Sequence, residues 1–154
     1  MKTLLKIIML CALAGVIFAF PAAAQKPQKA PDYKITDIKI LPYSENTGKF
    51  GDEVKADQAE FFNRIDLGLF VTIEVSGSKD SFEAGRKVQI TVTEGRKVKF
   101  TRLEQVGYMG DNAKTFFGFW LAPAMCSQVT INASLVGQKT PSKMIRKIPF
   151  QCGE

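Results

Sequence analysis

Hydrophobic and polar residues alternate with a period of two along most of the chain after Asp32. The clearest case is the segment from Ile65 to Val75, in which every second residue is apolar. Alternation of this kind is typical of a β-strand with one face buried and the other in water. Similar strand signals lie at Tyr33 to Leu41, Lys87 to Thr93, Lys97 to Val106, Thr115 to Leu121, Gln128 to Val136 and Lys143 to Gln151. The pattern predicts about seven strands in a single domain, residues 33–154.

Seven short strands with turn signals between most of them predict an all-β protein. We expect an antiparallel two-layer β-sandwich, because a single sheet of this size would leave one apolar face in water. An immunoglobulin-like or fibronectin-III-like topology is the first interpretation, and a small barrel is the alternative. The one segment with a helical composition, Asp52 to Asn63, is interpreted as one or two helical turns or a long loop.

Local details of the strand pairing also follow from the pattern. A change of phase near Asp37 predicts a β-bulge in the first strand. The short loop at residues 94–96 predicts a hairpin that pairs Val92 with Val98 and places Ile90 opposite Phe100.

For the last two strands, two registers remain open. In one register, the numbers of each two paired residues add up to 278, which places Cys126 opposite Cys152. In the other register they add up to 279, which pairs Val129 with Phe150. We therefore expect a one-residue irregularity near residues 125–127 or at Pro149, since proline interrupts the ladder.

The first 24 residues have the pattern of an export signal. A basic start precedes an apolar run from Ile7 to Phe20, which is too short to cross a bilayer, and small residues follow it. The sequence predicts cleavage before Gln25 and a periplasmic or secreted protein with no stable membrane span after cleavage. Residues 25–32 contain two prolines and no apolar cluster, which indicates a flexible linker.

Two cysteines, Cys126 and Cys152, remain after the predicted cleavage. In an oxidising compartment an even pair indicates a disulfide. The chain has no histidine, so the pair lacks the partners of a usual zinc or copper site. In the chain-entropy model a closed loop of this length stabilises the fold by about 3.5 kcal/mol.

Composition narrows the possible chemistry further. The formal charge of +6 falls to +4 when Lys2 and Lys6 leave with the signal, and a charge of this size is also what keeps a small domain soluble. The absence of histidine excludes histidine-based triads and acid–base catalysis by histidine. No cofactor, no metal and no nucleic acid are expected. The remaining enzymatic option is a carboxylate pair from the segment between Ser44 and Asn63. The candidate carboxylates of this segment are Glu45, Asp52, Glu53, Asp57 and Glu60.

The strand Thr115 to Leu121 carries more aromatic residues than one face can bury. If Phe117 and Phe119 point inward, then Phe116 and Trp120 point outward. Two interpretations stay open, namely cover by the Phe61–Phe62 segment or an aromatic patch that binds a partner. We place Tyr108 in the same binding hypothesis, since it lies in a loop flanked by glycines.

Basic residues alternate with apolar ones in the predicted hairpin. We expect Lys97 and Lys99 to share an outer face with Lys87 and to form a basic stripe. Such a stripe is either a site for an anionic polymer or a solvated face that discourages edge pairing.

These observations lead to one hypothesis and two alternatives. The first is an exported, non-enzymatic binding module of the bacterial periplasm or cell envelope, whose partner is another envelope protein or a surface polymer. The second is a structural subunit of the envelope that assembles with its own copies through the arm at residues 25–32. The third is an exported enzyme that uses carboxylates.

Overall fold

The structure, a computed structural model, describes residues 32–55, 61–62, 67–121 and 125–151, and at positions 61, 62 and 151 it describes the backbone alone. The predicted signal and nearly all of the predicted linker lie outside these ranges. The described residues contain no helix long and apolar enough to span a membrane. The described strands are β1 (Lys34–Ser44), β2 (Lys49–Phe50), β3 (Phe61–Phe62), β4 (Leu67–Ser76), β5 (Lys87–Glu94), β6 (Lys97–Gln105), β7 (Lys114–Leu121), β8 (Val129–Val136), β9 (Lys143–Ile148) and β10 (Phe150–Gln151).

These strands form two antiparallel four-stranded sheets. Sheet I has the order β2-β1-β4-β7 and sheet II the order β6-β5-β8-β9, while β3 and β10 form a separate parallel pair. The two sheets bury their facing apolar side chains in one core. The prediction of an all-β protein with two antiparallel layers is confirmed, and the seven strands of six or more residues match the seven predicted segments.

The core follows directly from the alternation in the sequence. In β4, the side chains of Leu69, Val71, Ile73 and Val75 are buried. The rings of Phe100 in sheet II and Phe119 in sheet I meet edge to face, with centroids 5.1 Å apart. Burial of each such side chain stabilises the fold by about 1.5–3 kcal/mol relative to exposure.

The predicted bulge in β1 is confirmed. The register between β1 and β4 shifts between Ile35 and Asp37, so that Ile35 and Ile38 both point into the core. The bulge allows two apolar residues three positions apart to lie on the same face of a strand.

The predicted register of the β5–β6 hairpin is wrong. Val92 pairs with Phe100, and Thr93 pairs with Val98, because a bulge lies between these pairs. Val98 consequently points away from the core and is exposed. Since this bulge changes the phase of β6, Lys97 and Lys99 do not form the expected stripe with Lys87.

Neither predicted register of the β8–β9 hairpin is correct. Val129 pairs with Ile148 and Thr130 with Lys147, which corresponds to a position sum of 277. The expected irregularity at Pro149 does occur, since β9 ends at Ile148 and β10 begins at Phe150 on a different partner strand. Cys152 lies outside the described residues, so the disulfide stays a prediction.

The segment after β2 lies along the edge of β1 and reaches sheet II. The backbone nitrogen of Val54 donates a hydrogen bond to the carbonyl oxygen of Ile40 at 2.9 Å. The guanidinium group of Arg146, in β9, donates to the carbonyl oxygen of Val54. Residues 52–55, the described start of the segment predicted as helical turns or a long loop, have no regular secondary structure and link the two sheets at this edge.

Sheet I has two ends, which we call the Tyr33 end and the Trp120 end. At the Tyr33 end, Lys34 pairs with Ser76, which also pairs with Lys114. At the opposite Trp120 end, Leu41 pairs with Phe70, which also pairs with Trp120.

Candidate binding surface

Four aromatic rings form a cluster on the outer face of sheet I, at the Trp120 end. We call Tyr43, Phe50, Phe70 and Trp120 the aromatic cluster. The ring of Trp120 lies 5.1 Å from that of Phe70, 5.6 Å from that of Tyr43 and 6.0 Å from that of Phe50, measured between centroids. These separations are those of favourable aromatic pairs.

The strand pairing explains how the four rings meet. Phe70 and Trp120 are direct cross-strand partners in β4 and β7. Tyr43 and Phe50 are partners in the β1–β2 hairpin, whose turn includes Gly48 with a φ of 65°. The hairpin brings Phe50 within 6.3 Å of Phe70, between ring centroids, although the two strands are not neighbours in the sheet.

Glycine gives the rings room on the sheet surface. A Cβ atom at Gly118 would lie 2.9 Å from Cζ of Phe70, which is closer than real Cβ contacts. The ring of Phe70 therefore lies over Gly118, in the space between the side chains of Phe116 and Trp120.

The predicted outward orientation of Phe116 and Trp120 is confirmed. Their relative exposures are 56% and 54%, and that of Phe50 is 53%, whereas Phe117 and Phe119 are buried. Two rings from strands that do not pair with β7, those of Tyr43 and Phe50, also pack on Trp120. The interpretation of cover by the Phe61–Phe62 segment finds no support in the described residues, because both outward rings are half exposed and the β3 backbone pairs with β10.

Tyr108 lies away from the aromatic cluster. Its hydroxyl group donates a 2.8 Å hydrogen bond to Oδ1 of Asp80, in the turn after β4 at the Tyr33 end. This hydrogen bond, together with partial desolvation and the negative charge of Asp80, raises the pKa of Tyr108. From Lys114 to Trp120, β7 extends by about 20 Å, so the structure does not bring Tyr108 and Trp120 into one patch.

The two candidate lysines belong to the other sheet. Lys97 pairs with Glu94 at the start of β6, and the Nζ atom of Lys99 lies 2.6 Å from Oε2 of Glu94. Oε1 of Glu94 accepts a 2.8 Å hydrogen bond from the backbone nitrogen of Cys126. The hydrogen bond from Lys99 and the one from Cys126 lower the pKa of Glu94. Lys99 thus forms an ion pair with Glu94 of the same chain. Through Glu94, this ion pair connects the start of β6 to the segment before β8.

A groove separates the edges of β6 and β7, next to the aromatic cluster. Its volume is about 420 Å³, and its lining includes Phe100 and Arg102 of β6 and Phe119 and Trp120 of β7. Nη2 of Arg102 lies 3.0 Å from Oε1 of Glu104. The groove shows that the edge of β7 is accessible from the side of sheet II.

The described residues contain no group of three or more histidine, cysteine, aspartate or glutamate side chains that could hold a metal ion. Of the candidate carboxylates, Glu45, Asp52 and Glu53 are exposed, and Asp57 and Glu60 lie outside the described residues. The arrangement that the structure does provide is an exposed aromatic surface, and a surface of this kind is suited to apolar and ring contacts.

Sequence reasoning missed three of the four members of the aromatic cluster. Phe70 had a signal, since it is the large apolar residue on the otherwise polar face of β4. Tyr43 and Phe50 had none, because their position depends on how the β1–β2 hairpin bends.

No protein-family model matches the chain, and no curated protein matches it either.

Proposed function

We propose that the chain is an exported, non-enzymatic binding module of the bacterial periplasm or cell envelope, and that the aromatic cluster is its binding surface. The partner is another envelope protein or a surface polymer. The observation that carries this proposal is the half exposure of Phe50 and Trp120 within a contiguous group of four rings.

Aromatic surfaces of this kind are favourable places for a partner to dock. Scattered apolar residues are common on protein surfaces, but a contiguous group of large rings is the usual composition of a binding hot spot. The rings also hold one another in position, so a partner would find a surface that needs little reorganisation.

The strand order supports an immunoglobulin-like topology. If β1, β4, β5, β7, β8 and β9 are named A, B, C, E, F and G, then sheet I holds A-B-E and sheet II holds C-F-G. This division is the one that immunoglobulin-like sandwiches share. The remaining long strand, β6, follows C along the chain and pairs with it, in the place of a C′ strand.

The proposal of export depends on residues 1–24, whose pattern is that of a cleaved signal. The predicted disulfide between Cys126 and Cys152 suits an oxidising compartment. We propose both as part of the same function.

The test compares binding by the predicted mature chain with binding by two cluster variants, Trp120→Ala and Phe50→Ser. The matched control is Ile145→Ser, which changes a half-exposed apolar residue on the outer face of sheet II. Circular dichroism and urea unfolding first establish that all four proteins are folded. The probes are an envelope protein extract, in affinity capture, and purified insoluble cell-wall polymer, in co-sedimentation.

We expect one of the two probes to be retained by the wild type and by Ile145→Ser, and lost by both cluster variants. Retention by all four proteins would show that the partner binds elsewhere. Absence of binding to either probe by the wild type would overturn the proposal.

A further inference from the structure

Strand β7 has one edge with no partner in the described part of the chain. Its register with β4 is continuous from Leu121 to Lys114, and no other described strand pairs with it. An edge of this length presents a row of unpaired backbone donors and acceptors, which is a template for a further strand.

The other three edges of the two sheets carry features that oppose pairing. Strand β2 has only two residues, β6 has a bulge in its register with β5, and β9 is followed by proline. Charged side chains add to this protection, at Lys97, Lys99 and Arg102 in β6 and at Lys143, Arg146 and Lys147 in β9. Strand β7, in contrast, has no charge, proline or bulge from Thr115 to Leu121.

The sequence of β7 is self-complementary about its central glycine. Reading outward from Gly118, two aromatic residues follow on each side, in the order Phe117 and Phe116 in one direction and Phe119 and Trp120 in the other. An antiparallel ladder centred on Gly118 would place Phe116 opposite Trp120 of a second copy, and Phe117 opposite Phe119. A twofold interface requires a patch that matches itself in this way.

We propose that the occupant of the β7 edge is a second copy of this chain, joined by antiparallel β7–β7 pairing with the twofold axis at Gly118. The dimer would contain a continuous eight-stranded sheet built from the two copies of sheet I. Aromatic pairs directly across an antiparallel ladder are among the more stabilising ones. This inference does not depend on the proposed binding function.

The geometry at the edge favours this occupant. Phe116 and Trp120 are exposed on the outer face, and the groove beside Phe119 leaves the edge open towards sheet II. Lys114 lies outside the paired residues 115–121, and its Nζ atom lies 2.8 Å from Oε1 of Glu74 within its own copy. The ladder therefore brings no like charges together along β7.

The first test is sedimentation equilibrium of the predicted mature chain, with Phe116→Lys as the edge variant. We expect a reversible dimer in the wild type and a dissociation constant about tenfold to a hundredfold higher in Phe116→Lys, since two aromatic pairs are lost for each dimer. The matched control is Phe82→Lys, which introduces the same charge at an exposed phenylalanine in the turn before β5. The control is expected to dimerise like the wild type.

The second test determines the register. Phe116→Cys and Trp120→Cys are prepared separately, and each is oxidised alone and in an equal mixture. The proposed ladder places positions 116 and 120 of different copies directly opposite each other, within reach of a disulfide, whereas two copies of position 116 lie about 14 Å apart. We expect a cross-linked dimer in the mixture and none in either variant alone.

A wild type that stays monomeric throughout the concentration range would overturn the inference. So would a dimer that Phe116→Lys does not weaken, or cross-links that form equally in each single variant. A monomer that instead binds a peptide with the sequence of residues 115–121 would show that the edge accepts an extended segment but not a folded second copy. Phe50→Ser separates the two proposals, because Phe50 belongs to the aromatic cluster but not to β7, and this variant is expected to dimerise normally.

Discussion

Gly77 faces a ring that leaves no room for a side chain. A Cβ atom at this position would lie 2.6 Å from Cδ1 of Tyr33 and 3.2 Å from Cγ of Met109, and both of these residues are buried. The Tyr33 ring is itself held in place, since the guanidinium carbon of Arg86 lies 5.5 Å from its centroid. The close contact cannot be relieved without moving a packed ring.

We therefore expect Gly77→Ala to reduce the free energy of unfolding by about 1–3 kcal/mol, the usual cost of overpacking a core. Urea unfolding measures the effect. The control is Gly110→Ala, where an added Cβ would meet no atom within 4 Å, and this variant should unfold within about 0.5 kcal/mol of the wild type. Equal stability of the two variants would contradict the prediction.

Glu94 makes the stability of the chain depend on pH. Its pKa is lowered from 4.5, chiefly by the hydrogen bond from Lys99 and then by the one from the backbone of Cys126. A carboxyl group with a lowered pKa in the folded state contributes stability above its unfolded pKa, and this contribution is lost as the pH falls through the folded pKa. The contribution of Glu94 is thus complete at neutral pH and declines below pH 4.5.

We expect Glu94→Gln to lower the urea midpoint at about pH 7 and to change it less at an acidic pH well below 4.5, because the wild-type carboxyl group takes up a proton as the pH falls through its lowered pKa. Glu45→Gln, in the exposed β1–β2 turn, is the matched control and should shift the midpoint little at either pH. A Glu94→Gln effect of the same size at both pH values would show that the carboxylate charge does not matter.

The β8–β9 hairpin is the element on which the predicted disulfide depends. Continuing the observed register of β8 and β9 places Cys126 opposite position 151, one residue from Cys152. Because β9 ends before Pro149, residues 149–152 do not have to follow this register, and a shift of one residue there would place Cys152 opposite Cys126. The structure of the hairpin is compatible with the pairing that the sequence predicts.

We expect the oxidised mature chain to contain no free thiol and to lose about 3.5 kcal/mol of unfolding free energy on reduction, because the reduced unfolded chain regains the entropy of an open loop. Mass spectrometry after alkylation, with and without reductant, and urea unfolding of both forms measure this. The double variant Cys126→Ser/Cys152→Ser controls for effects of the reductant and should match the reduced wild type. Alkylation of both cysteines without reductant would disprove the disulfide.

At the scale of the whole molecule, the sequence predicted the position of each long strand and the two hairpins β5–β6 and β8–β9, but not the register of either hairpin. Alternation records which side chains face the core, so the limits of β4 and β8 and the bulge at Asp37 could be read from it. A bulge that leaves an apolar residue in water cannot be read from the alternation. For this reason the predicted face of Val98 is wrong. The predicted register of β8 and β9 failed for another reason: the ladder ends at Ile148, and Phe150 pairs with Phe61 of β3 instead of with β8.

The candidate surface was predictable to a similar extent. The outward orientation of Phe116 and Trp120 follows from the inward one of Phe117 and Phe119 on the same strand. The contacts of Trp120 with Tyr43 and Phe50 depend on the bend of a hairpin more than sixty residues away in the sequence. Tyr108 could not be placed, since the period of a strand carries no information about the direction of a loop.

The direction of β1 also determines which way the molecule faces when it is held by its N-terminus. The chain enters the sandwich at Tyr33, and ten residues later it reaches Tyr43 in the aromatic cluster, a span of about 30 Å. A molecule immobilised through an N-terminal tag would therefore be attached at the end of the sandwich remote from the four rings. A biosensor experiment should be built in that orientation, because coupling through surface lysines would leave a fraction of the molecules with the rings obstructed.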